Sequence, residues 1–117
     1  MRILVVDDEP LVRNAVKTLL SHDGHCVEAV NDANAALAAF KPGKFNLVIT
    51  DYVMPGLKGV VLASAIKEQA PQQPIILLTA HADMIEKTLS NVTCFDYVLS
   101  KPFKLENLRK AVTQFAR

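Results

Sequence analysis

The sequence predicts an α/β fold, a five-stranded parallel sheet with helices on both faces. Short unbroken apolar runs such as Leu47-Val48-Ile49 and Ile75-Ile76-Leu77-Leu78 have the pattern of strands covered on both sides. Segments with apolar residues at helical spacing alternate with these runs five times, the signature of a sheet wound by crossover helices. Length agrees: 117 residues, half of them apolar, suffice for one domain with a real core.

Residues Arg2 to Asp7 read as the first strand, with Ile3, Leu4, Val5 and Val6 apolar, ending in Asp7-Asp8-Glu9. Pro10 then occupies a first-turn helix position. Leu11, Val12, Ala15, Val16, Leu19 and Leu20 recur at helical spacing until Asp23-Gly24 stops them. A weaker second strand covers about His25 to Ala29, and a helix with Ala35, Ala36, Leu37 and Phe40 runs from about Asp32 to Pro42-Gly43. The third strand, through Leu47, Val48 and Ile49, ends at Asp51. Met54-Pro55-Gly56 and Gly59 then lead through a constrained loop into a helix over residues 60–70. Pro74 introduces a fourth strand, Ile75 to Leu78, that ends at Thr79-Ala80. Residues 83–92 form a less regular helix, and Phe95 to Leu99 a fifth strand ending in Ser100-Lys101-Pro102. Leu105, Leu108, Val112 and Phe115 mark a final amphipathic helix. Right-handed crossovers and five strands suit the doubly wound, flavodoxin-like order 2-1-3-4-5. No repeat or linker divides the chain, so one domain over residues 1–117 is expected.

Charge and composition narrow the function. Thirteen basic and twelve acidic residues, net +1, are spread along the chain and leave no basic stripe, so direct nucleic-acid binding is not expected. No apolar run approaches the roughly 18 residues that span a bilayer, and a strand rather than a signal peptide follows Met1. A soluble cytoplasmic protein, off the membrane, is the expectation. Cys26 and Cys94 fall on opposite edge strands, about four strand spacings or ~19 Å apart, too far for a disulfide.

The chemistry lies at the strand ends. In the expected order, Asp7-Asp8, Asp51, Thr79 and Lys101 all face the carboxyl edge of the sheet, where open parallel sheets bind ligands. Three close carboxylates raise one another's pKa values unless a cation sits among them. Mg²⁺ is the natural resident, because it favours oxygen ligands and is usually held by one or two carboxylates together with a phosphate. A hydroxyl at Thr79 and an ammonium at Lys101 would complete a clamp on phosphoryl oxygens, with a carboxylate as nucleophile. Asp8 is also a natural cap for the first helix. His22, His25 and His81 form no ligand set; His81 falls in the loop over the site.

These residues resemble the receiver domain of two-component response regulators, and the resemblance covers essentially the whole chain. It rests on Asp7-Asp8 after the first strand, Asp51 followed by Met54-Pro55-Gly56 and Gly59, Thr79-Ala80, and Lys101-Pro102-Phe103. The resemblance implies that Asp51 accepts a phosphoryl group from a phosphohistidine on a partner histidine kinase or histidine phosphotransfer protein. It implies that Asp7, Asp8, Asp51 and the Val53 carbonyl arrange Mg²⁺ directly or through water, and that Thr79 and Lys101 bind the phosphoryl oxygens. A cis Lys101-Pro102 bond is expected with it. Signalling would proceed to a downstream effector domain or protein through the face built by residues 83–116; a phosphorylation-linked homodimer is left open.

One position departs from the family pattern. Many members carry an aromatic switch residue three places before the lysine, where this chain has Val98, preceded by Tyr97. Val98 cannot make a ring-flip, and strand alternation sends Tyr97 to the opposite face. Three other functions compete. A flavin-binding protein of this architecture needs a phosphate-cradling loop after the first strand, where Asp-Asp-Glu-Pro would repel phosphate. A metal-dependent phosphohydrolase needs a substrate cap that nothing here encodes. A phosphorylation-independent interaction module of the same fold is opposed by the intact set of acids, threonine and lysine.

Overall fold

The computed structural model describes residues 1–52, 59–80 and 95–115. Its strands are β1 (Arg2–Val6), β2 (Cys26–Val30), β3 (Leu47–Asp51), β4 (Ile75–Thr79) and β5 (Tyr97–Ser100). The described helices are α1 (Pro10–His22), α2 (Ala33–Ala39), α3 (Gly59–Gln69) and α4 (Leu105–Thr113). The expected helix over residues 83–92 lies outside the described residues, as does Cys94. All strand pairs are parallel, in the order β2-β1-β3-β4-β5, as expected from sequence.

The two-residue period of the pleat divides each strand between two cores. Ile3, Val5, Ile49 and Leu78 pack with Val16 and Leu20 of α1 and with Leu108 and Val112 of α4. Leu4, Val6, Val48 and Ile75 pack instead with α2 and α3, through Ala36, Leu62 and Ile66. Every residue of β3 and β4 is buried, which is why both read as continuous apolar runs. Each fully buried Leu or Ile contributes roughly 1.5–3 kcal/mol relative to exposure. Among the described residues β2 pairs only with β1, and none of its own residues is fully buried, so its sequence signal is weak.

Polar side chains fix the element ends. Asp32 caps α2 by accepting a hydrogen bond from the Ala35 N–H at 2.7 Å. Asp23 follows α1 and accepts two hydrogen bonds from Arg109 of α4, at 2.7 and 3.1 Å, tying the last helix to the end of the first. Gly24 then takes φ 92°, a turn that a side chain would strain. β5 begins at Tyr97, later than the expected Phe95, because Asp96 is committed to the start of β4. Its N–H donates to the Ile75 carbonyl at 2.8 Å, and its carboxylate accepts from the Ile75 N–H at 2.8 Å and from Lys67 at 3.0 Å. Among the described residues no helix is long and apolar enough to cross a membrane.

Candidate functional site

Strand register brings the site together. Val6 pairs with Thr50, so the next residues, Asp7 and Asp51, end adjacent central strands side by side. Alternation sends Asp7, Asp51 and Lys101 to the sheet face that carries α1 and α4, following Val5, Ile49 and Leu99. There the Lys101 Nζ lies 3.3 Å from an Asp7 oxygen and 3.3 Å from an Asp51 oxygen, with Glu9 at 3.7 Å. The Lys101-Pro102 peptide is cis, as expected.

Each acid has a different environment. Asp7 is fully buried, and its two oxygens are divided between the Glu9 N–H, at 2.9 Å, and Lys101. Asp51 is 6% exposed; its Oδ1 accepts from the Tyr52 N–H at 2.9 Å, leaving Oδ2 toward Lys101. Asp8 is half-buried and makes no hydrogen bond or ion pair with a described residue. Burial pushes the Asp7 carboxyl above the ordinary aspartate value, with the Glu9 amide and Lys101 offsetting this only in part. Burial likewise raises Asp51; Lys101 counteracts it and the charge of Asp7 adds to it. Burial alone would depress Lys101, yet Asp7 and Asp51 beside it hold its pKa above the ordinary lysine value. One ammonium is thus shared by more negative charge than it can neutralise.

That surplus fits a hard divalent cation. Oxygens of Asp7, Asp8, Glu9 and Asp51 lie within 4.8 Å of one another, and an all-carboxylate donor set suits Mg²⁺. Asp8, half-exposed and without a partner among the described residues, is the acid most available for direct ligation. It does not cap the first helix, the other role open to it: Glu9 stands at the N-cap, without a side-chain hydrogen bond.

The remaining candidates divide. Thr79 is buried at the end of β4, and its carbonyl accepts the Lys101 N–H at 2.7 Å. Tyr97 is half-buried against the core beneath α1 and α4. Val98 pairs with Leu77 on the other face. Val53 and His81 lie outside the described residues. Two participants escaped the sequence reading. Glu9 reaches Lys101, a contact its position beside Asp7-Asp8 could have suggested. Arg13 donates to the Asp7 carbonyl at 2.9 Å, which follows from helical side chains leaning toward the N-terminus.

A family model for the response regulator receiver domain matches residues 3–113. The chain belongs to that family. This receiver domain is 33% identical over 117 residues to the two-component response regulator PhoP of Pseudomonas aeruginosa, covering all of this chain and 52% of that protein. It is 32% identical over 108 residues to the transcriptional regulatory protein TcrA of Mycobacterium tuberculosis, covering 92% of this chain and 43% of that protein. The chain therefore spans about half the length of the curated relatives it matches. Among solved structures, the response regulator TrrA of Thermotoga maritima in complex with Mg(2+)-BeF is similar at TM-score 0.88 and 35% identity, with 97% of each chain covered. Receiver domains are phosphoacceptor signalling domains of two-component systems and bind Mg²⁺ as a class.

Proposed function

We propose that this domain, residues 1–117, receives a phosphoryl group on Asp51 from a phosphohistidine of a histidine kinase or histidine phosphotransfer protein in the cytoplasm. The observation that carries the assignment is the Lys101 ammonium held 3.3 Å from both Asp7 and Asp51. The Tyr52 amide holds Asp51 Oδ1 at the backbone, and we take Oδ2, which faces the Lys101 ammonium, as the attacking atom. A lone pair of Oδ2 forms the bond to phosphorus as the phosphorus–nitrogen bond breaks, its electron pair returning to the imidazole nitrogen. Asp7, Asp8, Asp51 and the Val53 carbonyl would hold Mg²⁺ directly or through water. When bound, the metal supplies positive charge against the oxygens of the transferring group.

Lys101 then follows the charge onto a phosphoryl oxygen, and the Thr79 hydroxyl takes another. The domain responds over residues 80–103 by displacement of loop and helix, since Val98 has no ring to turn, and passes the signal to an effector domain or protein. Incubation with a small phosphodonor and Mg²⁺, followed by mass spectrometry, should show one phosphoryl group, at Asp51. Undiminished labelling of Asp51→Asn would refute the assignment.

A further inference from the structure

Lys101 has three N–H donors and three carboxylates around it: Asp7 and Asp51 at 3.3 Å and Glu9 at 3.7 Å. A phosphoryl group on Asp51 adds acceptor oxygens that the same ammonium must meet. Its oxygens can take two of the three N–H donors, the one that met Asp51 and one more, and for the second either Asp7 or Glu9 has to yield. Asp7 is fully buried, with its other oxygen bound to the Glu9 N–H and its carbonyl to Arg13. Asp51 is replaced by the group it carries. The Glu9 side chain is 60% exposed and can turn into water without leaving a buried charge behind.

Resting on the phosphoacceptor reading above, we propose that Glu9 is a positioning residue that competes with the phosphoryl group for Lys101. In the unphosphorylated domain it holds the ammonium at the outer side of the site, and it is displaced when Asp51 is modified. Removing this competitor leaves Lys101 one contact poorer before phosphorylation and unchanged after it, so the modified state is favoured. An ion pair this exposed is worth little, and the expected gain in affinity for a phosphoryl mimic is about two- to five-fold.

Charge and reach are separable at this position. Glu9→Gln removes the charge. Glu9→Asp keeps it but shortens the side chain, and an Asp at the N-cap of α1 turns toward the helix N–H groups and away from Lys101. Beryllofluoride affinity, titrated at saturating Mg²⁺ so that metal binding does not contribute, should rise about two- to five-fold in both variants. Wild-type affinity in Glu9→Gln would overturn the proposal. So would a gain in Glu9→Gln with none in Glu9→Asp, which would mean that Glu9 merely repels anions at a distance. If the wild-type domain bound no beryllofluoride at all, the phosphoacceptor reading would fall as well, a result distinct from either of these.

Discussion

Asp51 and Asp7 are carboxylates that folding penalises, because burial raises both pKa values and Lys101 offsets only part of the effect. At pH 7 the folded chain therefore carries them at a cost. As pH falls through their folded values, the folded state takes up protons that the unfolded state, with its ordinary value of 3.8, does not yet bind. The cost is relieved over that interval, and the relief is complete below 3.8. Asp51→Asn should consequently stabilise the metal-free domain at pH 7 by on the order of 1 kcal/mol, the scale of single-residue effects. The advantage should shrink toward pH 4 in urea titrations run across that range. A destabilised Asn variant at neutral pH would show that the Lys101 pair outweighs the burial cost. At Thr79, Thr79→Ala should leave labelling of Asp51 largely intact while weakening amide-exchange changes over residues 80–103 on adding beryllofluoride. Equal changes in both proteins would remove Thr79 from the signalling route.

Helices and strands here have unequal sources of stability. α2 spans only Ala33–Ala39 and depends on its Asp32 cap. Asp32→Ala should cost about 0.5–2 kcal/mol in chemical denaturation. β4 is held by packing, and Leu78→Ala should cost about 2–5 kcal/mol by opening a cavity between the sheet and α4. The same contrast explains what the sequence made legible. β3 and β4 were plain because a strand buried on both faces can use only apolar residues. β2 was fainter because an edge strand half in water tolerates Glu28 and Cys26. The acids, Thr79 and Lys101 could be assigned to one sheet edge because strand ends follow from the apolar runs. Which of them touch could not, since contact depends on how far each side chain reaches from its strand end: Lys101 meets both Asp7 and Asp51 at 3.3 Å. The Asp23–Arg109 and Asp96–Ile75 ties were equally hidden, as each joins side chains to distant elements through positions that carry no periodic signal.

For the molecule as a whole, binding of Mg²⁺ to the folded acid cluster and not to the unfolded chain should raise the melting temperature in step with occupancy. At 100 times the dissociation constant the gain is about 2.7 kcal/mol, and Asp8→Asn should lose most of it. A calorimetric trace unmoved by millimolar Mg²⁺ would rule out the site. The pairing of Lys101 with Asp7, 94 residues apart in sequence, bears also on how the molecule is made. On the ribosome, Asp51 emerges roughly 2.5–10 s before Lys101, at about 5–20 residues per second. During that interval a nascent chain displays the aspartates without their counter-ion. The charge balance of the acid cluster is thus complete only once translation has passed Lys101.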